Sequence, residues 1–213
     1  MLELQRKKCH NIGLVSPTHF SVQILEAVHS AALKGLNIPL VYNSNGYDSV
    51  EMLKYFDGVV DIYLPDFKYG NDEYGMKYSD AVNYFENACM AIREMYRQVG
   101  DDLVIENGVV VKGLIIRHLV LPNGLAESEK IFEFISSELS RDIYISLMSQ
   151  YFPSHKSHND ILIDRTIRSS EYEKTLELME KYGLHNGWIQ ELESSKHYRP
   201  DFISSRDVPF RSE

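Results

Sequence analysis

Short apolar runs alternate along this chain with segments of helical spacing, and this alternation limits the possible folds more than any other feature. Five runs rich in Ile, Val and Leu are predicted to be strands, at 11–15, 38–42, 59–64, 113–121 and 143–148. Helices are predicted at 21–34, 49–56, 80–98, 128–139 and 171–182. This order favours an α/β fold with a parallel sheet and right-handed crossovers. Strands this apolar are typical of a sheet covered on both faces.

Local signals mark the ends of several elements. Ser21 is predicted to be the N-cap of the first long helix, and Gly35 its C-terminal stop. The pair Asn107-Gly108 indicates a hairpin within 101–112, and the polar stretch 154–168 is predicted to be a loop. We expect one domain over 1–190 and a C-terminal tail over 191–213 that wraps the surface or is partly disordered.

Composition excludes several classes of protein. The chain has 213 residues, enough to bury a core without disulfides, and a formal net charge of -9, which argues against a nucleic-acid or anionic-membrane partner. No apolar run is long enough to span a bilayer, and residues 1–8 lack the apolar region of a signal peptide. Two cysteines, Cys9 and Cys89, cannot by themselves hold an iron–sulfur cluster or a structural zinc. A soluble, cytoplasmic domain is expected.

Polar residues follow or interrupt all five apolar runs. In parallel α/β proteins, ligands bind beyond the carboxyl ends of the strands, so these residues are the candidates for a binding site. In chain order they are Ser16, Thr18, His19, Asn43, Asn45, Gly46, Asp66, Lys68, Arg117, His118, Gln150 and Tyr151. Five strand ends that deliver such groups to one edge of a sheet predict a site there.

Each candidate also has a plainer interpretation. Asn43, Asn45 and Gly46 are residues that turns favour, and Asp66 with Lys68 has the spacing of a local salt bridge on an extended segment. His19 could be an N-terminal helix residue without a chemical role. Arg117 and His118 are harder to dismiss, because an unpaired charge is costly to bury. We expect one of these two side chains to point into the barrel and the other into a polar rim.

Five phrases of the sequence carry a family resemblance. They are CHNIGLVSPTHF at 9–20, IPLVYNSNGY at 38–47, VDIYLPDFKY at 60–69, RHLVLP at 117–122 and MSQY at 148–151. In this order, the phrases resemble the later part of radical S-adenosylmethionine (SAM) enzymes. The branch that they most resemble contains proteins similar to pyruvate formate-lyase activating enzymes.

The resemblance implies an incomplete, TIM-like partial (β/α) barrel whose first strand is missing, with about five parallel strands as counted above. It implies that Ser16, Thr18 and His19 lie in the loop that contacts the SAM amino group. Further SAM or substrate contacts are implied for the turn residues Asn43, Asn45 and Gly46, for the pair Asp66 and Lys68, and for the barrel-mouth residues Arg117, His118, Gln150 and Tyr151.

The family binds a 4Fe-4S cluster through a Cys-x-x-x-Cys-x-x-Cys motif, which these 213 residues do not contain. We therefore expect the later part of a longer enzyme that binds neither the cluster nor SAM tightly and is inactive alone, because reductive cleavage of SAM requires the cluster. The full-length family generates a radical, and its partner here would be a glycyl radical enzyme or a small molecule. The missing strand also predicts self-association through the edge at 11–15, or cover by the tail.

Two alternative functions stay open. The chain could be a non-catalytic module that binds SAM, another nucleoside or a protein partner. A barrel mouth with His19, Asp66 and His118 could instead hold a divalent metal for hydrolysis, although the spacing matches no standard set of ligands.

Overall fold

A mostly parallel, open sheet organises the chain. The computed structural model describes residues 1–192, so the predicted tail lies, from residue 193 onward, outside the described residues. The strand order is β1-β2-β3-β5-β6-β7, and β4 pairs antiparallel with β5. The strands are β1 Ile12–Val15, β2 Leu40–Ser44, β3 Ile62–Pro65, β4 Val104–Glu106, β5 Val109–Leu119, β6 Tyr144–Met148 and β7 Gly187–Ile189. The predicted α/β fold is confirmed, and the open sheet is consistent with a partial barrel.

Seven α-helices accompany the sheet in the described part of the chain. They are α1 Leu2–Arg6, α2 Ser21–Ala32, α3 Val50–Lys54, α4 Asp72–Ser79, α5 Tyr84–Val99, α6 Ser128–Phe134 and α7 Ser169–Lys181. A π-helical turn over Ile135–Leu139 continues α6, and β4 with β5 forms the predicted hairpin, in which Asn107 and Gly108 have φ of 51° and 80°.

Three local predictions differ from the structure. The helix predicted at 80–98 begins later, at Tyr84, and a separate helix α4 precedes it; Asp80 and Asn83 have left-handed backbone conformations that break the helical path between them. Ser21 is the first residue of α2 rather than its N-cap, and its hydroxyl donates to the carbonyl oxygen of Thr18 at 3.1 Å. The strand β7 was not predicted, because three residues carry too little periodicity to be recognised.

On β5 the two faces of the sheet are buried to different extents, which the sequence did not predict. On β5, Leu114, Ile116 and His118 are fully buried, whereas Ile115 and Arg117 between them remain partly exposed. Successive side chains of a strand point to opposite faces, so one face packs against the helices and the other is open. We call the second face the inner face. On β2 and β3, by contrast, both faces are covered, since the neighbours Val41 and Tyr42 and the neighbours Ile62 and Tyr63 are all buried.

The main core lies between the sheet and the helices. Its largest fully buried side chains include Tyr42, Tyr63, Phe67, Ile92 and Phe132, contributed by strands, by the loop after β3 and by α5 and α6. A smaller cluster beneath α2 is formed by Ile12, Val28 and Leu40. Among residues 1–192, no helix has both the length and the apolar character needed to cross a membrane.

A substitution at Gly187 tests how strand β7, which was not predicted, is held against β6. A Cβ at this position would lie 1.9 Å from the carbonyl oxygen of Ile145, and Gly187 has φ of 128°. We expect Gly187→Ala to detach β7 and to lower the free energy of unfolding by about 2 kcal/mol or more. Urea unfolding followed by the fluorescence of Trp188, the one tryptophan of the chain, measures this directly.

Gly13→Ala is the matched control, since a Cβ there meets nothing within 4 Å. It should leave both the unfolding midpoint and the native Trp188 fluorescence close to those of the original chain. Equal stability of the two variants would show that β7 tolerates a side chain at its first residue.

Candidate functional site

Four of the predicted residues meet on the inner face at the carboxyl ends of β2, β3 and β5. Arg117 Nη2 lies 2.5 Å from Asp66 Oδ1 and donates to Asn43 Oδ1 at 2.9 Å. Lys68 Nζ lies 3.4 Å from Asp66 Oδ2, so the predicted Asp66–Lys68 pair is confirmed as an ion pair. We call Asn43, Asp66, Lys68 and Arg117 the inner-face cluster.

The register of the sheet brings this cluster together. Asp66 and Arg117 face each other in an isolated parallel bridge, where the N–H of Phe67 donates to the carbonyl oxygen of Arg117 at 2.8 Å. The N–H of Asp66 donates to Ser44 O at 3.0 Å, which joins the ends of β3 and β2. Asn43 belongs to β2 rather than to the turn after it, so its side chain is fixed by the strand.

The inner-face cluster is suited to an anionic or hydroxyl-bearing ligand. Two cations share one carboxylate, so the three charged groups together carry a positive charge. The side chains of Asp66, Arg117 and Lys68 are 15%, 29% and 35% exposed, so they are reachable but only partly hydrated. Arg117 Nε is buried and has no hydrogen-bond partner among the described residues, which leaves one donor of the guanidinium unused.

A buried tyrosine behind the cluster joins two of its loops. Tyr84, at the start of α5, is 2% exposed, and its hydroxyl lies 3.0 Å from Asn45 O and 2.9 Å from Asp66 O. The same hydroxyl accepts the N–H of Lys68 at 2.9 Å. Burial raises the pKa of Tyr84 well above its usual range, so the hydroxyl keeps its proton. Tyr84 was not among the predicted residues, because nothing in the local sequence distinguishes it from a core aromatic residue.

A buried carboxylate holds the loop after β1. Asp48 accepts hydrogen bonds from Thr18 Oγ1 at 2.6 Å, Ser44 Oγ at 2.6 Å and Tyr42 Oη at 3.1 Å. Thr18 is thereby tied to the β2 end, and its hydroxyl is occupied inside the protein. Burial, and then the charge of Asp48, raises the pKa of Tyr42. Asp48 was also missed, since its donor Thr18 lies 30 residues away in the sequence.

The side chains of the other predicted loop and turn residues do not take part in the ion pairs of the inner-face cluster, although the N–H of Ser16 donates to the carbonyl oxygen of Asn43 at 2.8 Å. Ser16 has a left-handed backbone with φ of 50°, and His19 is exposed in the short 3-10 helix Pro17–Phe20. Asn45 Oδ1 accepts the N–H of Tyr47 at 3.1 Å, and Gly46 has φ of 76°. The turn interpretation of these last two residues therefore describes their geometry.

His118 does not line the barrel mouth, contrary to its predicted place. Its ring is fully buried on the helix side of the sheet, edge-on to Phe132. Nδ1 lies 2.7 Å from the carbonyl oxygen of Phe67, and Nε2 lies 2.8 Å from Ser128 Oγ. Because the carbonyl can only accept, Nδ1 carries the proton and Nε2 accepts from the serine. Burial lowers the pKa of His118 to about 4, so the ring is neutral near pH 7.

The three residues of the metal-hydrolase alternative, His19, Asp66 and His118, do not come together in the structure. His118 has both ring nitrogens engaged on the opposite face from Asp66, and His19 lies in an exposed turn. Among residues 1–192, no three His, Cys, Asp or Glu side chains are arranged to hold a metal ion.

Gln150 and Tyr151, the two predicted residues after β6, do not belong to the inner-face cluster. Gln150 Nε2 lies 3.6 Å from Met148 Sδ, and its Oε1 lies 3.5 Å from Gln190 Nε2. Tyr151 donates to the carbonyl oxygen of Ile163 at 2.8 Å and lines a separate cavity of about 640 Å³ between α4 and the loop after β6.

The cysteines do not fit the donor set of a 4Fe-4S cluster. Cys9 directly precedes β1, at the amino end of the strands, whereas the inner-face cluster lies at their carboxyl ends. Cys89 is buried on α5, and burial raises the pKa of its thiol to about 12, which opposes formation of the thiolate that a cluster needs. The residues described here therefore do not provide a cluster site.

Sequence comparison finds one relative of this chain but no matching family. No family model matches the chain. It is 38% identical over 189 residues to an uncharacterized protein of Methanocaldococcus jannaschii, a match that covers 86% of this chain and 50% of the relative. The chain thus spans about half the length of that relative.

A solved structure has the same fold. It is a domain of a pyruvate-formate lyase-activating enzyme from Bacteroides vulgatus, with a TM-score of 0.58 and 17% sequence identity. The match covers 85% of this chain and 98% of that domain.

The buried histidine predicts a pH-dependent stability. The pKa of His118 falls from 6.5 in the unfolded chain to about 4 in the folded one, so below pH 6.5 the unfolded chain binds more protons. At about 1.4 kcal/mol for each pKa unit, this group removes about 3 kcal/mol of the free energy of unfolding between pH 6.5 and 4. His118→Gln should lack this contribution, which urea unfolding across that pH range measures.

His19→Gln, a change at an exposed position, is the control and should follow the pH dependence of the original chain. If the stability difference between the original chain and His118→Gln were constant from pH 7 to 4, His118 would not be buried in its neutral form.

Proposed function

We propose that this chain is the SAM-binding part of a radical SAM protein similar to pyruvate formate-lyase activating enzymes, and that it binds SAM on the inner face. The observation that carries the proposal is the inner-face cluster, which combines a net positive charge with an unused guanidinium donor at the carboxyl ends of three parallel strands. The family resemblance of the sequence and the fold of the Bacteroides vulgatus domain support the same assignment.

The charges of SAM match those of the cluster. Its methionine carboxylate would bind Arg117 and Lys68, because guanidinium and ammonium groups form charge-assisted hydrogen bonds with carboxylates. Asp66 would accept hydrogen bonds from the ribose hydroxyls or face the sulfonium, and Asn43 can supply amide N–H donors. The partly exposed apolar side chains of Ile115 and Leu119 lie on the same face and would pack against the adenine ring.

Other residues of the predicted set would also contact SAM or lie near it. The loop with Ser16, Thr18 and His19 would lie near the amino group of SAM. Gln150 would extend the polar lining beyond β6, where it lies beside Gln190.

Cleavage of SAM is not proposed for these residues alone. The iron–sulfur cluster supplies the electron for that reaction when it is bound, and the two cysteines do not fit it. The second candidate function, a SAM- or nucleoside-binding module without catalysis, is favoured by this observation. For the protein that uses the chain in catalysis, a glycyl radical enzyme or a small molecule is the proposed substrate.

Binding of SAM tests the proposal. We expect the full chain to bind SAM weakly, with a Kd of about 0.1 to 1 mM, because no iron chelates its methionine end. Arg117→Gln should weaken binding at least about tenfold, since it removes a charged donor from the carboxylate. Isothermal titration calorimetry with SAM measures both values.

Arg141→Gln is the control, because Arg141 is exposed at the amino end of β6, away from the cluster. Anaerobic reconstitution with iron, sulfide and a reductant should give no 5′-deoxyadenosine. Absence of SAM binding, or equal binding by both variants, would contradict the proposed site, and steady formation of 5′-deoxyadenosine would contradict the non-catalytic assignment.

We also propose that the chain associates with itself through β1. This strand is at an edge of the described sheet; Ile12 and Ser16 direct their N–H groups to β2, so those of Gly13 and Val15 face outward. Val15 is 73% exposed, and Phe20 nearby is 62% exposed. Open, apolar edges favour pairing with another strand.

Sedimentation velocity should therefore show a concentration-dependent dimer that Val15→Lys converts to monomer, because a lysine blocks pairing at an edge strand. Val22→Lys, a change at another exposed valine, on α2, serves as the control. A monomer at all concentrations would exclude association through this edge.

A further inference from the structure

We infer that Tyr84 is a positioning residue of the inner-face cluster: its hydroxyl sets the spacing between the β2 and β3 loops that ligand binding requires. This inference rests on the proposed function and assigns a role to a residue outside the predicted site. Tyr84 belongs to α5 on the helix side of the sheet, so it acts through the loops and not by contact with a ligand.

The hydrogen bonds of the Tyr84 hydroxyl reach both loops at once. It lies 3.0 Å from Asn45 O in the loop after β2 and 2.9 Å from Asp66 O after β3, and it accepts the N–H of Lys68 at 2.9 Å. Its single proton is shared between the two carbonyl oxygens. One buried oxygen atom therefore links three backbone groups: the carbonyl groups of Asn45 and Asp66 and the N–H of Lys68.

Tyr84 thus holds the backbone of Asp66, and the side chain of Asp66 forms the ion pairs of the inner-face cluster. The carboxylate of Asp66 pairs with Arg117 at 2.5 Å and with Lys68 at 3.4 Å. Any displacement of the β3 loop moves this carboxylate relative to Arg117, which belongs to β5. A shift of the Tyr84 hydroxyl would therefore change the positions of the charged groups on the inner face.

Gly46 shows how closely the two loops approach. A Cβ on Gly46 would lie 2.2 Å from Asp66 O and 3.5 Å from the Tyr84 hydroxyl oxygen, and the residue has φ of 76°. The loops are therefore in backbone contact beside the hydroxyl that joins them. Gly46→Ala should separate the same loops while the hydroxyl of Tyr84 is retained.

Tyr84→Phe removes the hydroxyl and keeps the ring. The ring of Tyr84 stacks on Tyr47 at a centroid distance of 6.1 Å and packs edge-on to Tyr69 at 5.3 Å, and both contacts remain possible for phenylalanine. Tyr63 offers the matched control. It is also fully buried, and its hydroxyl donates to Gln98 at 2.6 Å, but it contacts neither of the two loops through that group.

The experiment is a titration of the full, ¹⁵N-labelled chain with SAM, followed by amide chemical shifts, for the original chain and three variants. We expect Tyr84→Phe and Gly46→Ala to raise the Kd at least about tenfold, and Tyr63→Phe to change it less than about twofold. Urea unfolding of the same samples gives the loss of stability of each variant. Hydrogen exchange should show that the Lys68 amide loses protection in Tyr84→Phe but not in Tyr63→Phe.

The outcomes separate the two proposals. An original chain that binds no SAM would overturn the proposed function and the positioning role together. An original chain that binds SAM, with Tyr84→Phe binding equally well, would overturn the positioning role alone. Equal losses of affinity in Tyr84→Phe and Tyr63→Phe at equal stability would do the same, because the effect would then follow stability and not loop spacing.

Discussion

The hydroxyl of Tyr84 is the interaction on which the geometry of the candidate site depends. Parallel strands deliver their ligand-binding groups on loops, and the backbone of a loop has fewer partners than that of a strand. Here one buried oxygen accepts from Lys68 and lies within 3.0 Å of the carbonyl oxygens of Asn45 and Asp66. A second hub, the carboxylate of Asp48, accepts from three hydroxyl groups and holds Thr18 to the end of β2. The loops after β1, β2 and β3 are thereby ordered from the buried side.

The unequal burial of the sheet explains where charge can be placed. On the helix side, the buried titratable side chain of β5, His118, is neutral near pH 7 and has both nitrogens satisfied. On the inner face, Asp66, Lys68 and Arg117 keep part of their hydration and pair with one another. The charged groups of the candidate site therefore lie where desolvation is incomplete, which lowers the cost of keeping them in the folded chain.

The solved structure identifies the fold, whereas the residues of the inner face are the basis for the proposed SAM binding. The Bacteroides vulgatus domain shows that this arrangement of strands and helices is the fold of a domain of a pyruvate-formate lyase-activating enzyme. The relative from Methanocaldococcus jannaschii is about twice as long as the segment that it shares with this chain. The proposed binding of SAM at the inner face would depend on residues of this chain, whereas SAM cleavage requires thiolates that Cys9 and Cys89 do not provide in the described structure.

The sequence by itself determined the α/β fold, the hairpin at Asn107-Gly108 and the Asp66–Lys68 ion pair, because these follow from local periodicity, turn preference and spacing. It also predicted that one of Arg117 and His118 points into the barrel and the other into a polar rim; the second part is wrong, because His118 is fully buried against the helices. Only the tertiary structure decided that Arg117 faces the open side and His118 the helices, because this choice depends on where the helices pack. The tertiary structure also decided the hydrogen-bonding roles of Tyr84 and Asp48. Their partners lie as far as 39 and 30 residues away in the chain, and no local sequence pattern predicts such contacts.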